Sequence, residues 1–173
     1  MKAVIQRVKN AFVTVDGAVT GSIVLGLLVY LGVAADDNEK DAGWLAEKIT
    51  NLRIFNDAEG KMNLSLLDIA AKDGAKGGVK SGAKDENGKM VKEAQGPAGI
   101  LTISQFTLLA DARKGRRPFY GAAAEPEKAK ALYEYFMGKI REAGLVCEAG
   151  VFQAHMDVTY TNDGPVTILL NSR

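Results

Sequence analysis

With 173 residues, 47% hydrophobic and 25% charged side chains, the chain has the size and composition of one self-sufficient core, and a net charge of +1 excludes an overall field that would recruit nucleic acid. Its longest apolar runs, such as Gly26 to Val33, are far too short to span a bilayer. The lone Cys147 excludes an internal disulfide and a cysteine-based metal cluster, and its apolar setting predicts a buried, inert thiol.

The opening stretch MKAVIQRVKNAFVTV interrupts its apolar residues every few positions, so it carries no signal-peptide core, and a cytoplasmic protein is expected. Lys2 to Val8 and Ala11 to Val15 read as β-strands separated by Lys9-Asn10, and Asp16-Gly17 marks a tight turn into a further strand. Leu27 to Val33 is a continuous apolar run, expected as a central strand covered on both faces. Asp36-Asp37-Asn38 offers N-cap side chains to a helix whose apolar stripe is Ala42, Leu45, Ile49 and Leu52.

Residues 70 to 99 hold seven of the 19 glycines and six lysines, with little to bury. They predict a flexible surface insertion within a single domain spanning 1–173, with a short hairpin around Asn87-Gly88. Beyond it, Ile100 to Ile103 resumes as a buried strand, and Pro126 to Ala143 reads as a helix with Ala129, Leu132, Phe136 and Ile140 on one face and Gly144 as its stop. Leu145 to Cys147, Gln153 to Tyr160 and Val166 to Leu170 supply closing strands, the last two joined by residues 161–165. The expected fold is α/β, a single domain of mixed, largely antiparallel sheets with two main helices, layered α/β/β.

The familiar catalytic inventories are missing. His155 is the single histidine, no serine stands in a Gly-x-Ser-x-Gly elbow, and neither phosphate-binding glycine loop is present, so a serine triad, a typical zinc site and a nucleotide cofactor are not expected. Two polar strings remain. Ser104-Gln105-Phe106-Thr107 interrupts a buried strand, where such groups must find partners, either in the neighbouring backbone or at the edge of a pocket. Asn162-Asp163-Gly164-Pro165 is either a plain turn or a segment using the conformational freedom of glycine before proline. A third cluster, Arg113, Lys114, Arg116 and Arg117, crowds a glycine- and proline-containing loop before Phe119, which fits a solvated loop or a local contact with RNA phosphates and bases.

Taken together these strings resemble the D-aminoacyl-tRNA deacylase family, from Met1 to about Leu170 apart from the 70–99 stretch. The resemblance rests on Gln6-Arg7-Val8 with Ala11 and Val13, Leu52-Arg53-Ile54-Phe55, Gly60-Lys61-Met62-Asn63-Leu64-Ser65, SQFTL at 104–108, RPF at 117–119 and NDGPVT at 162–167. It implies a hydrolase that cleaves the ester of a D-amino acid on the acceptor 3′ end of transfer RNA, and glycyl esters, while sparing L-forms. It implies a homodimer with no cofactor, in which Gly164-Pro165 is cis and enters the partner's site to exclude L side chains, accompanied by Asn162 and buttressed by Arg7 donating to its carbonyls, a carboxylate partner for Arg7 being the alternative. Ser104, Gln105, Phe106 and Thr107 would flank the ester, with backbone amides near Phe106 and Thr107 as oxyanion donors, and Met156 would line the adenosine pocket. Water assisted by the substrate's 2′-hydroxyl is the favoured nucleophile, Thr107 the alternative. Gln153 departs from the family's usual glycine, putting a larger polar residue at a tight strand position beside the pocket. A non-catalytic RNA-binding dimer and a small-molecule esterase using Ser104 are the rival readings.

Overall fold

The structure, a computed structural model, describes the backbone of residues 1–74, 79–84, 90–96 and 98–173, and the side chains outside 73–97. The expected hairpin turn at Asn87-Gly88 lies outside the described residues. Its flanks, β6 (Val79–Lys84) and β7 (Met90–Gly96), pair antiparallel as a small separate sheet.

The main sheet has six strands. Strand β1 (Lys2–Val15) turns through Asp16 (φ 50°) and Gly17 (φ 76°) into β2 (Ala18–Ile23), two successive left-handed residues that match the twist of a tight hairpin. The continuous apolar run is β3 (Gly26–Gly32), at the centre of the order β10-β1-β3-β8-β9. Its neighbour β1 is antiparallel, whereas β8 (Gly99–Ser104) and β9 (Val146–Ala149) extend the sheet in parallel. The edge strand β10 (Asp157–Asn171) pairs antiparallel with β1. At Gly26, φ is +141° and a Cβ would overlap the carbonyl of Gly99, so the close approach of β3 to β8 demands glycine.

Helices α1 (Glu39–Thr50) and α3 (Pro126–Glu142) pack on one face of this sheet. In α1 the Asn38 side chain accepts from Lys40 N while Asp41 accepts from Asn38 N, a reciprocal cap that satisfies two opening donors. Leu45, Ile49, Phe136 and Ile140 are fully buried against Ile5, Leu27, Val29 and Ile100, each burial being worth about 1.5–3 kcal/mol. Because side chains alternate along a strand, Leu28, Leu101 and Ile103 face the other way, into a second core with Val8, Val13 and Ile23. Strand β1 closes that core. Its first half pairs with β3 and its second half with β2, which reaches across β8 and β9.

Three expectations change. Lys9 and Asn10, expected to separate a pair of strands, lie inside β1, where the register with β10 slips instead of turning. Residues 157–171 form one strand, not two joined by a turn, and 151–156 are irregular, with Gln153 at φ +66°. A third helix, α2 (Leu66–Gly74), begins four residues before the stretch expected to be unstructured. Its start is sealed by Ser65 and Asp68, which bond to each other's backbone N–H groups. The remaining short strands, β4 (Phe55–Asn56) and β5 (Met62–Leu64), pair across a turn held by the Asp57 carboxylate.

Candidate active site

The parallel strands β3 and β8 end together, and beyond their carboxyl ends opens a cavity of about 590 Å3. Carboxyl ends of parallel strands are where α/β sheets place ligands, and the volume suits a small molecule or the end of a polymer. Leu31 of β3 and Val33 just beyond it form its floor, Pro126, Ala129 and Tyr133 of α3 one wall, and the irregular segment from Phe152 to Met156 the other. Tyr133 is anchored by donating its hydroxyl to Thr102 O at 2.6 Å, and burial pushes its pKa above the usual phenol range. The Cys147 thiol is buried beside Thr102, and its burial pushes its pKa up too, which suits an unreactive packing group.

Of the first polar string, Ser104, Gln105 and Phe106 line this cavity. Gln105 N donates to Leu31 O at 2.8 Å, carrying the β8 pairing one residue past the strand before the backbone folds into a single 3-10 turn, Phe106–Leu109. Phe106 and Thr107 open that turn, so no intrahelical carbonyl faces their N–H groups. Thr107 is absent from the cavity lining. Its hydroxyl accepts from the Gln105 side-chain amide at 2.5 Å, and an amide cannot take up a proton as a general base. Met156 and Gln153 line the cavity, and so does His155, which sequence reasoning did not place there. The His155 side chain is almost fully exposed, with Asp157 Oδ1 3.8 Å away.

The second polar string lies elsewhere. Gln6 pairs with Thr167 and Val8 with Asn162, so residues 163–166 loop out of β10 opposite Arg7 alone. The Gly164–Pro165 peptide is cis, and Gly164 has φ +125°. A Cβ at Gly164 would lie 2.8 Å from Val166 Cγ2 and 2.9 Å from Val166 N, so the loop accepts only glycine there without shifting. Asn162 Nδ2 clasps the loop, donating to Arg7 O at 3.0 Å and to Val166 O at 3.1 Å. The buried Arg7 guanidinium stands behind it. Its Nη1 donates to Ile54 O, and its Nε is 3.0 Å from Asp163 Oδ2, an ion-pair contact with an angle too poor for a hydrogen bond. Arg7 therefore supports the loop through Asp163 and Ile54 and not through the Gly164 and Pro165 carbonyls.

The two strings do not meet within one chain. Arg7 pairs with Leu27 at the start of β3 and Ser104 with Leu31 near its end, a separation of about 13 Å along the strand, with β1 and β8 on opposite sides. The basic loop is pinched shut by mutual backbone bonds between Asp111 and Phe119, at 2.8 and 2.9 Å. Arg113 folds back onto Asp111, and its guanidinium holds the Asp111 carboxyl below the usual carboxylate range. At the base of the loop Tyr120 meets Phe106 edge to face, with ring centroids 5.1 Å apart.

A family model described as D-Tyr-tRNA(Tyr) deacylase matches residues 4–73 and 81–171, so the match runs through most of the glycine- and lysine-rich stretch. D-aminoacyl-tRNA deacylases of Kosmotoga olearia and Koribacter versatilis are 52% and 51% identical to the chain over 173 residues, covering 100% of it and 98% of each relative. Among solved structures, a c-Myc DNA unwinding element binding protein is 34% identical with a TM-score of 0.78, covering 100% of this chain and 99% of its own. A probable eukaryotic D-amino acid tRNA deacylase shares the fold at a TM-score of 0.71 and 15% identity, with 98% of each chain covered.

Proposed function

The chain belongs to the D-Tyr-tRNA(Tyr) deacylase family, and we propose that it works as a two-fold homodimer whose sites each combine the cavity of one subunit with the Gly164–Pro165 loop of the other. It is a D-aminoacyl-tRNA deacylase, a hydrolase of the ester between a D-amino acid and tRNA. The finer reading is supported by one observation above all: the outlooped Gly164–Pro165 segment sits on an edge strand opposite Arg7, about 13 Å along β3 from the level of Ser104 in the cavity it would have to reach. Among the described residues the outer edge of β10 is unpaired, β10 carries the exposed Leu169, and such an edge is a template for a second copy.

In this arrangement the terminal adenosine enters beside Met156 and the ester lies against Ser104 to Thr107. Water, assisted by the substrate's 2′-hydroxyl, attacks the ester carbonyl. The opening amides of the Phe106–Leu109 turn take the developing oxyanion, and collapse returns the ribose hydroxyl and the free amino acid. Removing such a donor typically costs roughly 100- to 1,000-fold in rate. No side-chain base is needed, which agrees with the Thr107 hydroxyl being held by an amide. The carbonyls of the partner's Gly-Pro loop accept from the substrate α-ammonium and fill the space an L side chain would take; glycine, with no side chain, passes. The enzyme thus proofreads chirality for translation, in the cytoplasm where aminoacyl-tRNA is made.

The test mixes two inactive variants, Gly164→Ala, which displaces the loop, and Ala154→Trp, which fills the cavity mouth. Random subunit exchange places one intact composite site in each heterodimer, so activity on D-tyrosyl-tRNA returns to about a quarter of wild type, with L-tyrosyl-tRNA still intact. No recovery from subunits shown to have exchanged refutes the shared site.

A further inference from the structure

The loop from Asp111 to Phe119 plays no role in the chemistry above, yet it is joined to the cavity lining through Tyr120 and Phe106. Its base is fastened to the site: Phe119 pairs with Asp111, Tyr120 follows, and Tyr120 packs on Phe106, which lines the cavity. Its tip carries four cations, of which Arg113 is neutralised by Asp111. Lys114, Arg116 and Arg117 are exposed, and none of them forms an ion pair or side-chain hydrogen bond with another described residue. With a net charge of only +1 across the molecule, three uncompensated charges within four residues make this a local positive centre. Beside them, Phe119 is 71% and Phe106 58% exposed, large apolar rings that a solvated loop gains nothing by presenting to water.

We infer that this loop is the RNA-holding arm of the enzyme, with Lys114, Arg116 and Arg117 gripping backbone phosphates of the 3′-terminal strand while Phe119 and Phe106 offer stacking faces to its bases. Cations beside open aromatic rings next to a cavity are the chemistry that holds a single strand, since every base has a π-face and every linkage a charge. An acidic protein would match the cations but leave the rings unused. The inference rests on the deacylase reading for its substrate, and the phosphate contacts belong to binding, not to the bond-breaking step.

The test compares the wild type with the combined variant Lys114→Ala, Arg116→Ala, Arg117→Ala, whose changes lie at an exposed loop tip. Two substrates are used: D-tyrosyl-tRNA and the phosphate-free ester D-tyrosyl-adenosine. The variant should raise KM for the tRNA ester at least tenfold at moderate salt without changing kcat, and hydrolyse the nucleoside ester like wild type. Its log–log dependence of kcat/KM on salt should flatten by about 2, three phosphate contacts at roughly 0.7 each. Equal performance on both substrates overturns the inference, as does equal loss on both, which would mean that the loop shapes the cavity. If the wild type cleaves neither ester, the deacylase reading fails by itself. The arm is then judged by titrating a labelled, uncharged acceptor-end RNA at several salt concentrations, where unchanged affinity of the variant refutes it.

Discussion

Replacing Asn162 with alanine removes the clasp of the Gly164–Pro165 loop. Two hydrogen bonds are lost, at 3.0 Å to Arg7 O and 3.1 Å to Val166 O, both half-buried. At a net value near 1 kcal/mol each, the variant should be less stable by about 1–3 kcal/mol. For a chain of this length each kcal/mol lowers Tm by roughly 2–4 °C, so thermal unfolding followed by circular dichroism should shift down by about 2–12 °C. Far-ultraviolet spectra should not change, because β1 and β10 stay paired on either side of the loop. The functional consequence should exceed the stability loss: a loop free to move no longer fills a fixed space, so the ratio of D- to L-tyrosyl-tRNA hydrolysis should fall at least tenfold. Asn162→Asp keeps the size but loses both donors and puts a second carboxylate beside Asp163, so it should do at least as much harm. A Tm within about 1 °C of wild type together with an unchanged D/L ratio would refute the idea that this side chain holds the loop.

Gln153 holds φ +66° without being glycine, a conformation that costs L residues about 1–2 kcal/mol, so Gln153→Gly should raise the urea midpoint, and a lower midpoint would show that the Gln side chain contributes more than the strain removes. The buried Asp41 carboxyl is held well below its ordinary pKa, first by hydrogen bonds from Arg173, at 2.8 and 3.1 Å, and also by Asn38 N. A depressed carboxylate stabilises the fold fully above its unfolded value, near pH 4, and loses this as pH falls through the folded value. Arg173→Ala should therefore lower stability at pH 7, with the gap to wild type closing below about pH 3 in acid urea titrations. Ser104→Ala and Thr107→Ala should each keep deacylation within about tenfold of wild type, since backbone amides take the oxyanion. A trapped Thr107 ester in mass spectra of quenched reactions, or complete loss with Ser104→Ala, would replace water by that side chain as nucleophile.

The elements governed by neighbours in sequence were legible from the chain itself. The 3.6-residue stripe Ala42, Leu45, Ile49 and its Asn38 cap specify α1, Pro126 and the Leu132, Phe136, Ile140 stripe specify α3, and the unbroken run from Leu27 specifies a strand buried on both faces. Helix α2 was legible too, because Ser65 and Asp68 stand three apart as a capping pair, but the glycine-rich composition that follows obscured it. Of the site, Ser104 to Phe106 were visible as polar residues interrupting a buried strand. Tertiary structure alone decided that Lys9 and Asn10 continue β1 and that residues 163–166 loop out of one long strand, because a bulge exists only relative to its partner's register. It alone brought Tyr133 and His155 from distant segments to the cavity with Ser104. It also set the Gly164–Pro165 loop on an edge strand, apart from Ser104 within one chain, since the position of an edge strand depends on which strands pair, and pairing between residues far apart in sequence leaves no local pattern to read.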